Sequence, residues 1–253
     1  GNQTAPDVGI DAAGNFVVVW VDDTADGNDD GIYGQRFLAD GSAAGSQFHV
    51  AGTTADKQHQ PAVAMNASGA FIVVWTSDDQ DPLIGLFRSP GVYAQRYDTA
   101  GSAMGTEFRV PDAALLGVNV GGIQHAADVT IDATGNFVVV QVDKQDGTIK
   151  ADYYNHAGSH IGRVDRVNAT TGASLLDATV AFDGNGGFVV AWTEDNDDDG
   201  SGDAIMARHF RSDLTAYAGA QVINSVTAGN QTGASLAVQN GRVLVVWSGH
   251  GAS

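Results

Sequence analysis

Phe16-Val17-Val18-Val19-Trp20 decides the fold, because the chain repeats it five times. It returns as Phe71-Ile72-Val73-Val74-Trp75, Phe137-Val138-Val139-Val140-Gln141, Phe188-Val189-Val190-Ala191-Trp192 and Val243-Leu244-Val245-Val246-Trp247. A β-branched and aromatic run this short reads as a strand buried on both faces. A glycine stands two residues before each copy: Gly14, Gly69, Gly135, Gly186 and Gly241. Asp or Asn stands five residues before four of them: Asp11, Asn66, Asp132 and Asp183. The copies start 55, 66, 51 and 55 residues apart, so the chain is an internal repeat and every other feature is read against that period.

Three further strands surround this one. Ahead of it, strand A alternates apolar and polar residues over Val8–Asp11, Val63–Asn66, Val129–Asp132, Val180–Asp183 and Leu236–Gln239. After it, strand C reads Ile32-Tyr33-Gly34-Gln35-Arg36-Phe37, with counterparts at Val92–Tyr97, Ile149–Tyr154 and Ile205–Phe210. One strand-C column holds only Gly34, Ala94, Ala151 and Ala207, so something bulky approaches there, most simply strand-B aromatics of a neighbouring sheet. Gly-Ser turns lead to strand D at Gln47–Val50, Glu107–Val110 and Val164–Val167, and Gln221–Ile223 is its fourth copy. Short connections make each unit an antiparallel meander. Four-stranded units at this period specify an all-β fold: a β-propeller of four-stranded antiparallel blades, five-bladed with an incomplete last blade.

The units span about 5–50, 60–110, 126–168, 177–224 and, in part, 233–253, within a single domain of residues 1–253. Gly1-Asn2-Gln3-Thr4 recurs at Gly229-Asn230-Gln231-Thr232. Two expectations follow. Either a two-stranded fifth blade closes the ring, or the chain belongs to a longer array.

Composition excludes several functions. There is no cysteine, hence no disulfide, zinc-thiolate site or thiol chemistry. A net charge of −18 argues against nucleic acid and against an anionic membrane surface. No apolar run nears the roughly 20 residues needed to span a bilayer, so no membrane insertion is expected. The sequence contains no nucleophile elbow, phosphate loop or HExxH motif. Carboxylate pairs for glycoside hydrolysis could lie among the many Asp residues, and no two of them stand out.

The loops between strands B and C concentrate the charge. Asp195-Asn196-Asp197-Asp198-Asp199-Gly200-Ser201-Gly202-Asp203 fits D-x-D-x-D-G-x-x-D. Asp22-Asp23-Thr24-Ala25-Asp26-Gly27-Asn28-Asp29-Asp30 fits it with Thr24 for the second Asp. Calcium takes six to eight oxygens, and alternate positions of a tight loop aim theirs at one point. The expected ligands are Asp195, Asp197, Asp199, the Ser201 carbonyl and Asp203 in one loop. In the other they are Asp22, Thr24, Asp26, Asn28 and Asp30. Position twelve, the glutamate of an EF-hand, is here Met206 or Tyr33. The competing reading is a solvated acidic turn. The loops at Ser77–Asp81 and Asp143–Gly147 carry fewer oxygens and read as plain turns. Gln35-Arg36 and Gln95-Arg96 read as inter-blade hydrogen bonding, and the Trp and Tyr columns read as core.

These loops resemble the calcium loops between blade strands in the propellers of integrin α-subunits. The strand-C motif Ile32–Phe37 with its Asp40-Gly41 turn resembles repeats of bacterial surface and RTX-adhesin-type proteins, over nearly the whole chain. The third unit departs from the pattern, with Asp152-Tyr153-Tyr154 in place of Gln-Arg-aromatic. The resemblance implies a secreted or cell-surface location and a carbohydrate or protein ligand. The sequence reading therefore leans away from catalysis, towards a calcium-stabilised, lectin-like binding or adhesion module. Its alternatives are a glycan-active enzyme, hydrolase or lyase, on a five-bladed propeller, and a purely structural repeat segment. Oligomeric state is not specified.

Overall fold

The computed structural model describes residues 1–23, 30–52, 57–78, 80, 90–110, 124–169, 174–195, 202–239 and 241–249, with only the backbone at 124–126. All regular structure among them is strand, and no helix is long and apolar enough to cross a membrane. The first sheet runs β1 (Gln3–Ile10), β2 (Phe16–Asp22), β3 (Gly31–Phe37), β4 (Phe48–His49). The second runs β5 (Gln58–Met65), β6 (Phe71–Ser77), β7 (Gly91–Tyr97), β8 (Phe108–Arg109). The third runs β9 (Gln124–Ile131), β10 (Phe137–Asp143), β11 (Thr148–Tyr154), β12 (His160–Val164). The fourth runs β13 (Ser174–Phe182), β14 (Phe188–Asp195), β15 (Asp203–Phe210), β16 (Gln221–Val222). The fifth is a pair, β17 (Gln231–Gln239) and β18 (Arg242–Gly249). Every pairing is antiparallel, and the sheets are the blades of a propeller with an incomplete fifth.

The repeated stretch sits second in each sheet; in the second, third and fourth it is sandwiched between blades, whereas the copy in β18, expected to be buried on both faces, is largely exposed. Phe71, Val73 and Trp75 meet Val17, Val19 and Val21 of the first blade. Their alternates Ile72 and Val74 meet Phe137 and Val139 of the third. Val138, Val140 and Val142 then meet Phe188, Val190 and Trp192 of the fourth. Full burial of one such side chain stabilises by about 1.5–3 kcal/mol, so these interfaces hold the blades together. The tight turns ahead of them follow from their sequence. Asp11 Oδ1 accepts the Ala13 and Asn15 amides at 2.8 Å, and Gly14 takes φ +87°. Asn66, Asp132 and Asp183 repeat the bond.

The small strand-C column is buried, but the bulk above it differs from expectation. A Cβ on Gly34 would lie 2.7 Å from Phe48 Cζ, so the close neighbour is strand D of its own blade. Phe48 in turn packs on Phe71 and Tyr97 of the next blade. Ala94 pairs with Phe108, which meets Phe137 and Tyr154 in the same way. Strand D also departs from expectation in the third blade, where β12 ends at Val164. Arg163, one residue earlier, reaches back to Asp152 with two bonds of 2.8 Å, which draws pairing upstream. The Gln-Arg pairs divide their work. Gln35 and Gln95 bond within their own blade, while Arg36 donates to the Thr99 carbonyl and Arg96 to the His156 carbonyl of the next.

The innermost strands β1, β5, β9, β13 and β17 follow one another side by side. β1 approaches β5 so closely that a Cβ on Gly9 would sit 3.0 Å from Met65 Cβ. At the two ends of the series the apolar faces stay open. Val8 and Ile10 are 58% and 62% exposed, whereas Val63, Val129 and Val180 at the column of Val8 are buried.

Candidate functional site

Each innermost strand carries a β-bulge, at the same place in β1, β5, β9 and β17 and one residue earlier in β13. Register shifts occur between Thr4 and Asp7, His59 and Ala62, Leu175 and Ala178, and Thr232 and Ser235, with the same break opposite Val140 and Val142 in the third sheet. Ala5 and Gln60 inside two of these bulges take φ of 48° and 54°. A bulge re-aims the side chains beside it, and the residue that follows is the informative one. Paired through the equivalent strand-B residues Val19, Val74, Val140 and Ala191, that column reads Asp7, Ala62, Asp128 and Thr179.

The two carboxylates lie on β1 and β9, flanking β5. Asp7 Oδ2 accepts the Val63 amide at 2.7 Å. Asp128 Oδ2 accepts the Val180 amide at 2.9 Å and the Thr179 hydroxyl at 2.8 Å, and Oδ1 accepts the Val129 amide at 2.8 Å. Each therefore satisfies an edge amide of another inner strand. Burial of the Asp128 carboxyl pushes its pKa up to about 6, and the Asp7 charge adds to the rise. Burial also raises Asp7, against hydrogen bonds from Val63 and Val8. Both residues keep part of their surface open. Two mutually repelling carboxyls with different surroundings can share the work of proton donor and acceptor.

The acidic loops are only partly within the described residues. Thr24, Asp26, Asn28, Asp197, Asp199 and Ser201 lie outside them. Asp195 and Asp203 pair across the last rung of β14 and β15. Asp22 pairs with Gly31 at the end of β2, while Asp30 precedes β3 by one residue, so the two loops differ by one residue between their closing rungs. Asp22 Oδ2 accepts Gln3 Nε2 at 2.8 Å. Asp203 is 7% exposed, and its pKa is raised by burial and by the charges of Asp195 and Asp177. In the third blade the equivalent strand end carries its own cation. Lys150 Nζ lies 2.8 Å from Asp143 and 3.9 Å from Asp146. Among the described residues, no group of three or more His, Asp or Glu side chains is arranged to hold a metal ion.

Two hollows flank the fifth sheet. One of about 360 Å³ lies among Asp132, Thr134, Phe182, Asp183 and Val238. The other, about 340 Å³, lies between the fourth sheet and β18. His160 Nε2 lies 2.9 Å from Asp152 Oδ1.

Sequence reasoning did not single out Asp7 and Asp128. The signal was available in the repeat alignment, where these positions carry a carboxylate in the first and third units and Ala62, Thr179 and Ser235 in the others.

No family model and no curated protein matches the chain. Solved structures do. A Dyadobacter fermentans protein of unknown function superposes with a TM-score of 0.65 at 11% identity, over 97% of this chain and 74% of that one. A polysaccharide lyase gives 0.59 at 10% identity, over 100% and 56%. A Hadza microbial sialidase gives 0.55 at 14%, over 90% and 47%. The chain thus spans about half the length of the lyase and the sialidase. Their fold is this fold, and it carries glycan-active enzymes. That finding overturns the expectation that leaned away from catalysis. The expectation rested on missing contiguous motifs, whereas a propeller gathers single residues from separate inner strands and leaves no such motif.

Proposed function

We propose that this chain is the propeller of a glycan-active enzyme, a glycoside hydrolase in which Asp128 is the proton donor and Asp7 its partner carboxylate. The supporting observation is the placement of these two residues after the bulges of β1 and β9, on either side of β5, with Asp128 raised first by burial and then by the charge of Asp7. In this reading the Asp128 proton passes to the glycosidic oxygen as the C1–O bond breaks. Ionised Asp7 takes a proton from the water that attacks C1. Glycans are the substrate class named for the lyase and sialidase that share the fold.

The test is reducing-end release from a panel of sialylated oligosaccharides, neutral polysaccharides and uronate polysaccharides, with ultraviolet detection of unsaturated ends to catch a lyase. Asp128→Asn keeps the oxygen that accepts the Val180 amide but has no proton to give, so it should lose about 10²–10⁴-fold in kcat while still folding. Absence of turnover on the whole panel, or full activity in Asp128→Asn, would sink the assignment.

We further propose that the loops at Asp22 and Asp195 hold calcium as a structural ion in an extracellular setting, as the resemblance to integrin and RTX-type repeats implies. What supports it is the contrast within the repeat. The short third loop sets a lysine against its strand-end carboxylate, whereas Asp203 is buried beside Asp195 and Asp177 and is raised by their charge. Carbohydrate remains the partner class for either role.

A further inference from the structure

Asp7 and Asp128 occupy the same column of β1 and β9, and each reaches the next inner strand, β5 or β13. Their main-chain partners match. Asp7 Oδ2 accepts the Val63 amide at 2.7 Å, and Asp128 Oδ2 accepts the Val180 amide at 2.9 Å. Val63 and Val180 are equivalent, each one residue after the bulge column. The neighbouring strand therefore treats the two carboxyls alike except at one group. Where β5 carries Ala62, β13 carries Thr179, whose hydroxyl donates to Asp128 Oδ2 at 2.8 Å. The fold holds its own comparison, with and without a hydroxyl.

That hydroxyl changes what the carboxyl can do. Asp128 Oδ2 accepts two hydrogen bonds, which occupy both of its lone pairs, whereas Oδ1 accepts one, from the Val129 amide. A proton on Oδ2 would displace one of the two donors, and a proton on Oδ1 disturbs neither. We propose that Thr179 is a positioning residue for Asp128, fixing Oδ2 as the acceptor and Oδ1 as the oxygen that carries the transferable proton. The catalytic part of this inference rests on Asp128 as proton donor; the bond itself does not.

Burial alone would hold that proton tightly. The Val180 amide and the Thr179 hydroxyl oppose burial by favouring the ionised form, and a donor serves best when its proton affinity lies near the working pH. The charged groups on the other strands packed against β9 are engaged elsewhere. His59 of β5 lies 2.9 Å from Asp78, Arg96 of β7 donates to the His156 carbonyl, Lys150 holds Asp143 of β10, and Asp177 of β13 accepts the Thr193 and Gly233 amides. Asp7, on the far side of β5, is the charge that adds to burial in raising Asp128.

The test follows the carboxyl carbons of isotope-labelled aspartate by NMR against pH, with the Asp128 signal identified by its loss in Asp128→Asn. Thr179→Val removes the donor and should raise the proton affinity of Asp128 about tenfold. Thr179→Ser should restore it, and Thr179→Ala replaces the valine variant if that chain does not fold. On any glycan that is turned over, the alkaline limb of kcat should move up by about one pH unit in Thr179→Val, a change that lost packing does not produce. An unmoved Asp128 titration, or a serine variant that titrates like the valine one, overturns the proposal. A lowered affinity overturns it too, because the proton would then sit on Oδ2 and be given to Thr179. The titration needs no turnover, so it decides the bond even where the donor reading fails. If Asp128 titrates as expected while the kcat profile stays in place, the catalytic part falls together with the donor role of Asp128.

Discussion

Asp128 ties the candidate site to stability, and Asp128→Asn measures the tie. Burial raises its folded pKa to about 6 against the ordinary aspartate value of 3.8, so the folded state binds the proton more tightly than the unfolded state. The proton's contribution is therefore complete below the unfolded pKa and is lost as pH rises through the folded one. The difference between the folded and ordinary values, at about 1.36 kcal/mol per pH decade, sets an upper bound of ~3 kcal/mol. Solvent reaching the partly open residue lowers this to about 1–3 kcal/mol. Asparagine has no charge to bury, so its stability contribution is flat over that window. It also sets Nδ2 or Oδ1 against three donors that a carboxylate satisfies with two oxygens. The result is a constant offset of about 1 kcal/mol that does not depend on pH. Other carboxylates titrate too: Asp11, Asp40 and Asp213, held low by side-chain hydrogen bonds, favour folding at higher pH. The difference between wild type and variant removes them. Urea unfolding at several pH values from 4 to 7 should show the wild type losing about 1–3 kcal/mol relative to Asp128→Asn as pH rises. A constant difference across that range would refute the assignment of a raised Asp128 pKa, and with it the proton-donor role.

Three further outcomes are expected. Gly34→Ala should cost about 1–3 kcal/mol, because the new Cβ meets Phe48 Cζ at 2.7 Å, with a backbone-entropy gain of about 0.4–1 kcal/mol opposing it; in a Phe48→Val background the cost should vanish, and a stabilised single variant would disprove the contact. Lys150→Met should cost about 3–5 kcal/mol by stranding the Asp143 charge, and adding Asp143→Asn should recover most of it; equal losses in single and double variants would mean the ion pair is not the cause. Calcium at a hundredfold excess over Kd should stabilise the chain by about 2.7 kcal/mol, more than magnesium does, and less in Asp203→Asn; identical melting in calcium, magnesium and chelator would leave these loops as acidic turns.

The strands were legible because their causes are local. A five-residue run of β-branched and aromatic residues between turns reads as a strand, and Asp11 or Asn66 with a glycine three residues on reads as the turn before it. The blade order followed from the short connections. What lies between blades was harder to read. The small column was visible, but not that Phe48 and Phe108 fill it, since the same column could equally face a strand-B ring. Strand D shortens to two residues in three blades, and in the first two its hold on the next blade comes from one inserted phenylalanine more than from ladder length. In the third blade the Arg163–Asp152 pair moves it upstream, a long-range effect that no periodicity records.

The candidate site was the least legible part, and the repeat explains why. A repeat supplies the same side chain at the same place in every blade, which suits a scaffold and makes its columns easy to find. Chemistry at the centre needs the opposite, different groups on equivalent inner strands. The informative positions are therefore departures from the repeat. Asp7 and Asp128 stand where the other units hold Ala62, Thr179 and Ser235, and Lys150 stands where they hold Tyr33, Tyr93 and Met206. Each departure has a physical cost that the scaffold offsets locally. The Asp128 carboxyl accepts three hydrogen bonds, and the Lys150 ammonium is held by Asp143. Val243 is a third kind of departure, since it stands where the other four blades place phenylalanine. It borders the hollow of about 340 Å³ between the fourth sheet and β18.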